Sequence, residues 1–247
     1  MQPKLLLTPG EKMDFFELWK FDSLIIQNFT AQFSEILPED FIQKVLVEKL
    51  NTKLLVVGEN FRYGFGARGD VSLLRTNANF ETMTSPLLDS EGQSISSSRI
   101  RELIGRGDVA RANELLGYST FLNGRVVAGA GRGRQIGFPT LNLETDRECL
   151  PANGVYAGMA VLDGGNQYKA AVNLGINPSF HGTQFKIEVH LLDYDVKSTP
   201  RSVRLYFMKR LRDEMKFESV DRLKAQIDKD VQICGKLDME IKLLKGP

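Results

Sequence analysis

The chain has 247 residues, 42% hydrophobic and 26% charged, a globular makeup long enough for one large domain or two ordinary ones. Its 32 basic and 31 acidic residues leave a net charge of +1, so no global field argues for a nucleic-acid or membrane partner. Cys149 and Cys234 stand outside any Cys-x-x-Cys pair, and Met1 is followed by no long apolar run, which makes a soluble cytoplasmic protein in a reducing compartment the expectation.

In Glu11 to Trp19 the apolar residues fall at helical spacing, and Ser23 to Ile26 reads as a short buried strand. Pro38 opens a second helix, whose positions 41, 42, 45, 46 and 50 form one stripe. The strand-like Lys53 to Val57 and the turn Gly58 to Gly66 follow. A further helix is expected around Leu73 and Leu74. Serines 96 to 98 cap another, and Asp108 and Gly117 bracket a small helix over Val109 to Leu116. Alternation of helix and strand marks an α/β region.

After Tyr118 the period changes. Stretches of alternating polarity separated by glycine-rich turns run over Leu122 to Val127, Val155 to Leu162, Tyr168 to Leu174, Phe185 to Leu192 and Ser202 to Met208. Such a series predicts a β-barrel. An amphipathic helix over Val220 to Cys234, apolar at 220, 223, 227 and 231, is expected to close one side of it. Two domains are therefore expected, 1–118 and 119–247.

Arg125 to Asn142 carries glycines at 129, 131, 133 and 137, with Arg132, Arg134, Thr140 and Asn142. Glycines let backbone N–H groups converge on an anion, the arginines add charge, and Thr140 and Asn142 offer hard oxygen ligands of the kind a magnesium-nucleotide complex accepts. The same glycines would also suit a plain flexible hairpin. Within Lys186 to Leu191, Ile187, Val189 and Leu191 share one face of a strand and Glu188 and His190 the other. Glu188 can be read as a solvated strand carboxylate, or as the base that takes the proton of an attacking hydroxyl. His190 reads as structural or exposed.

Several separated motifs resemble one family. GRGRQIGFPTLN (131–142), LPANGVYAG (150–158), NLGINPSF (173–180), IEVHLLDYD (187–195) and RLRDEMKFES (210–219) resemble the riboflavin kinase module of bacterial bifunctional riboflavin kinase/FMN adenylyltransferases, also called FAD synthetases. Leu141 departs from that family's Pro-Thr-Ala-Asn turn. The resemblance implies a six-stranded barrel that moves the γ-phosphoryl group of ATP to the 5′-hydroxyl of riboflavin, giving FMN and ADP. It also implies that Thr140 and Asn142 hold Mg²⁺ and phosphates, that Gly129, Gly131, Arg132 and Gly133 arch over ATP, and that Glu188 is the general base. Arg212, Glu214 and Phe217 would then border the flavin.

The first half resembles part of the family's adenylyltransferase module, a partial Rossmann-like nucleotidyltransferase fold, through residues 37–74 and 95–117. Ser97, Ser98 and Arg99 would mark a residual phosphate site at a helix start, or a remnant cap. The family's Gly-x-Phe-Asp-Gly-x-His-x-Gly-His motif has no counterpart, since the only histidines are His181 and His190. A riboflavin kinase with a truncated α/β domain is the leading expectation. A bifunctional enzyme lacking a segment here, and a non-catalytic flavin-binding regulatory module, are the alternatives. The incomplete sheet is expected to expose an edge and to self-associate.

Overall fold

A computed structural model of the chain describes residues 3–179, 182–194 and 199–243. These divide into two compact units, one formed by Asp22–Ile95 and the other by Met1–Phe21 together with Ser96–Pro247. His181, together with Phe180 and Asp195 at the ends of two motifs, lies outside the described residues.

The first helix, α1 (Pro9–Leu18), starts where Pro9 fixes φ and Thr8 forms a reciprocal capping box with Glu11. In the 22–95 unit, α2 (Ala31–Ser34) precedes α3, which begins at Pro38–Asp40 and continues as π-helical turns over Phe41–Lys49. Strand β1 (Leu54–Gly58) precedes α4 (Val71–Arg75), which Asp70 caps through the Leu73 N–H. Strand β2 (Glu81–Ser85) then pairs parallel with β1, a partner that Glu-Thr-Met-Thr-Ser does not announce by apolar pattern. Asp89–Ser90 and Gln93–Ser94 make a minimal hairpin, β3 and β4. Ile42, Leu46, Tyr63, Leu74 and Phe80 form the core of this unit. The expected strand at Ser23 to Ile26 is absent: no neighbouring strand pairs with it among the described residues, and Ile25 and Ile26 are each 67% exposed. An apolar run becomes a strand only when a partner supplies the ladder.

Helices α5 (Ser97–Gly105) and α6 (Val109–Leu116) belong to the other unit. They were grouped by sequence with the first domain, yet Val109 is part of the barrel core. The Asn113 side chain adds a polar tie, donating to the Phe207 carbonyl at 2.8 Å and accepting the Thr120 N–H at 2.6 Å. Gly117 ends α6 in the left-handed conformation at φ 74°, as its sequence position predicts.

The barrel uses β5 (Phe121–Val127), the helical turn α7 (Arg132–Gln135), β6 (Leu141–Glu144), β7 (Gly154–Leu162), β8 (Gln167–Ser179), β9 (Gly182–Leu191) and β10 (Ser202–Arg212). Every pairing is antiparallel, and the order β10-β5-β6-β9-β8-β7 closes on itself. The sequence pattern yields five of these strands. The sixth, β6, is only four residues long and had been read as a turn. Inward residues such as Leu122, Leu143, Tyr156, Val172, Val189, Leu205 and Phe207 fill the interior. Outside, Val231 and Cys234 of α8 (Val220–Lys236) pack on Ala157 of β7 and Ala171 of β8. Lys169 finishes that helix by donating to the Gly235 and Leu237 carbonyls.

Glu11 of α1 meets Arg147 beside β5, with Oε2 and Nε 3.4 Å apart and both side chains 4% exposed. Arg147 also donates to the Phe121 carbonyl, and its guanidinium lies 5.0 Å from the Phe121 ring centroid. Burial pulls the Arg147 pKa below its ordinary value, while Glu11 opposes that shift. Removing one member of such a pair strands the other without solvent. Arg147→Ala is therefore expected to destabilise this unit by about 3–5 kcal/mol in urea unfolding, and Glu11→Gln combined with Arg147→Met by clearly less. Equal losses in the single and double variants would contradict the pairing.

Candidate active site

The loop from β5 to β6 builds one wall of a cavity of about 230 Å³. Gly129, Gly131, Arg134, Pro139, Thr140 and Asn142 line it, together with Val189, Tyr194 and Thr199. Of the glycine-loop residues singled out from sequence, Gly129 and Gly131 thus reach the cavity. Arg132 and Gly133 sit in α7 and are not among its lining residues. Arg134 takes the position expected of Arg132, because the turn rotates alternate side chains away from each other. Gly129 lets the Asn142 side chain approach closely: a Cβ there would lie 2.0 Å from the Asn142 amide nitrogen and would push that side chain aside. Phe138 closes the loop by donating its N–H to the Gly133 carbonyl at 2.8 Å.

Strand parity sets the next layer. Leu141 and Leu143 face the core, so Asn142 faces out, and Ile187 and Val189 likewise turn Glu188 out. The register pairs Asn142 with Glu188 across β6 and β9, and Glu188 with Asn173 across β9 and β8. Three polar residues therefore stand side by side on the outer surface, with neighbouring strands about 4.8 Å apart. The Asn173 amide nitrogen lies 3.4 Å from Glu188 Oε2. Asn173 was missed from sequence although Val172 and Leu174 mark it as outward, because only the barrel register gives it a neighbour.

The same ladder runs on through Val155 of β7 to Arg212 of β10. Arg212 is held by Asp230 of α8, with Nε 3.2 and 3.1 Å from the two carboxylate oxygens and a terminal nitrogen 2.8 Å from Oδ2. Its guanidinium lies 5.9 Å from the Phe217 ring centroid. Glu214 Oε1 lies over Gly175, where a Cβ would come within 2.1 Å of it. Arg212, Glu214 and Phe217 are thereby gathered on the β8 and β10 side, with Glu188 between them and the cavity.

Other groups are placed apart. Ser97 and Ser98 are exposed in the first turn of α5, whose cap is Ser96, accepting the Arg99 N–H at 3.3 Å. Both cysteines are free and buried. Burial raises the Cys149 pKa and pushes Cys234 up to about 11, which favours the neutral thiol over the nucleophilic thiolate in each. Among the described residues no cluster of three or more His, Cys, Asp or Glu could hold a metal ion.

Comparison with known families gives two matches, riboflavin kinase over residues 116–237 and FAD synthetase over residues 1–99. The bifunctional riboflavin kinase/FMN adenylyltransferase of Haemophilus influenzae is 35% identical over 235 residues, covering 93% of this chain and 76% of that protein. Its counterpart in Escherichia coli is 34% identical over 231 residues, covering 92% and 74%. A crystal structure described as a macrolide-efflux protein from Streptococcus pneumoniae superposes with a TM-score of 0.87 at 30% identity, over 96% of this chain and 80% of that one. Among the described residues no helix is long and apolar enough to cross a membrane.

The contact at Gly129 separates site from scaffold. In Gly129→Ala the new methyl displaces a flexible amide end rather than backbone. The expected result is a shifted Asn142 side-chain amide resonance with a melting temperature within about 4 °C of wild type. An unmoved Asn142 resonance would contradict the packing.

Proposed function

The chain belongs to the bifunctional riboflavin kinase/FMN adenylyltransferase family, and from that premise we propose that it phosphorylates riboflavin at the 5′-hydroxyl with ATP. The observation that carries this reading is the outward row Asn142, Glu188, Asn173, set between the Thr140 cavity and the Arg212, Glu214, Phe217 group. ATP takes the cavity, with Gly129 and Gly131 leaving room for its phosphates and Arg134 offsetting their charge. Riboflavin takes the opposite side, where Phe217 offers an aromatic face and Arg212 and Glu214 offer polar contacts. Asp230 orients Arg212 from α8.

Thr140 and Asn142 suit Mg²⁺ in a particular way. Both supply neutral hard oxygen, and among the described residues no carboxylate lines the cavity, so the anionic ligands would come from the nucleotide itself. Bound there, the ion would neutralise charge on the phosphates. Glu188 receives the proton of the 5′-hydroxyl as its oxygen forms the new bond to the γ-phosphorus and the bond to the β-phosphate oxygen breaks, leaving ADP. The Asn173 amide holds the carboxylate while it waits. Phosphoryl transfer asks mainly for alignment and charge balance, and a barrel wall supplies alignment at little entropic cost.

The FAD synthetase half is assigned no turnover in this polypeptide. Ser97, Ser98 and Arg99 open a helix, yet the paired histidines that the resemblance calls for are not in the sequence. The expected product is FMN alone, made in the cytoplasm.

Incubating the chain with riboflavin, ATP and Mg²⁺ and separating the flavins should show FMN and no FAD. Glu188→Ala should lower the rate by about 10² to 10⁴, the range for a lost general base, with little change in melting temperature. Chelating Mg²⁺ should stop turnover. FAD accumulation would instead favour the bifunctional alternative, and tight flavin binding without FMN would favour the regulatory one.

A second copy of the chain is the proposed occupant of the bare sheet in the 22–95 unit. Leu54, Val56 and Met83 are each at least half exposed on a parallel pair, a kind of sheet that is normally covered on both faces. Light scattering at high concentration should report a dimer or larger, and Val56→Lys should shift it towards monomer. A clean monomer of the unaltered chain would overturn this assignment.

A further inference from the structure

The geometry points to His190 as a positioning residue that sets the Pro139-Thr140 turn for nucleotide binding. This rests on the riboflavin kinase reading of the Thr140 cavity.

The backbone ladder between β6 and β9 ends at the pair Leu141 and Val189, although β9 continues to Leu191. One step further, His190 would face Thr140. The pairing does not extend to them, and Pro139 just before has no N–H to offer. The imidazole takes over: His190 Nδ1 lies 2.8 Å from the Pro139 carbonyl oxygen. A carbonyl can only accept, so Nδ1 carries the proton and donates. Phe138 packs edge-on against the ring, its centroid 5.6 Å away with the planes at 77°. Both contacts fall on residues immediately before Thr140. The far end of this short loop is tied at Gly133 through the Phe138 N–H.

His190 stands two residues from Glu188 on the same outward face of β9. One strand therefore carries the proposed base and, through the imidazole, fixes the turn bearing the proposed metal ligand. Alignment between the hydroxyl side and the nucleotide side is then set by a single rigid element. His190 touches neither substrate in this arrangement. Its effect should fall on nucleotide binding more than on riboflavin binding.

Three variants of the full chain separate this role from general packing. His190→Asn places an amide N–H near the Nδ1 position, His190→Gln places one near Nε2, and His190→Phe keeps the bulk without a donor. Losing one well-made hydrogen bond is expected to raise the KM for ATP about tenfold in the Gln and Phe variants, with the riboflavin KM within about twofold. His190→Asn should recover to within about threefold of wild type. The Thr140 backbone amide resonance should move in the Phe and Gln variants and stay near its wild-type position in the Asn variant. An Asn variant as impaired as the Phe variant, or an unchanged ATP KM in folded Phe and Gln variants, would overturn the assignment. Wild-type protein that makes no FMN would sink the kinase reading instead, while the Thr140 resonance would still report whether the clamp exists.

Discussion

Closure of the barrel is the constraint on which the proposed site depends. Once β5 to β10 join in a ring, every strand has two neighbours and its register is fixed on both sides. A slip of one residue would turn Ile187, Val189 and Leu191 out to water and Glu188 and His190 into the core. Each apolar side chain of that size is worth roughly 1.5–3 kcal/mol of burial, so the slip is strongly opposed. The outward position of Glu188 is therefore enforced by residues that take no part in chemistry. The same parity aligns Asn142 and Asn173 on either side of it.

Those apolar alternations are what made much of the barrel legible in advance. Period-2 stretches gave five strands, and the terminal helix showed its stripe. Strand β6 was missed because four residues carry too little pattern, and because Pro139 beside it looked like a turn. Asn142 was named as a candidate and lies on the cavity, but its neighbours were invisible: no local feature of Asn173, fifteen residues from Glu188, says that the two abut. Arg134 shows a related limit. Arginines two apart in a loop cannot be assigned to the cavity or to solvent until the helical turn at Arg132–Gln135 is known. Ser23 to Ile26 shows the converse, an apolar segment without a strand to pair with.

Among the described residues, charge is kept either in water or in partnered pairs. The outward row is half-exposed, with the Glu188 carboxylate set between two amides, and among the described residues Arg134 lines the cavity without a carboxylate beside it. The buried charges among the described residues are elsewhere, and each has a partner: Glu11 with Arg147, and Asp230 with Arg212. Desolvating such groups costs several kcal/mol per ion, which close geometry only offsets. Their value is better sought in orientation than in stability.

That argument separates the two pairs. Glu11 and Arg147 join a helix at the start of the chain to the base of β5, and Asn123 adds a further bond to Glu11. Arg212 and Asp230 join the end of β10 to α8, and Gln226 supports Asp230 from one turn earlier at 3.0 Å. The second pair has a side chain that remains partly exposed, 18% for Arg212 against 4% for Asp230. An arginine anchored from beneath and open above keeps donors for a ligand, because guanidinium carries five N–H groups and the carboxylate engages only part of them. Helix α8 is then more than a cover for the barrel: through Asp230 it fixes the direction of the one cation in the proposed flavin group. Phe217, at the same guanidinium, inherits its position from that anchor. The C-terminal helix and the barrel wall therefore specify the proposed flavin side jointly, as His190 and β9 specify the proposed nucleotide side.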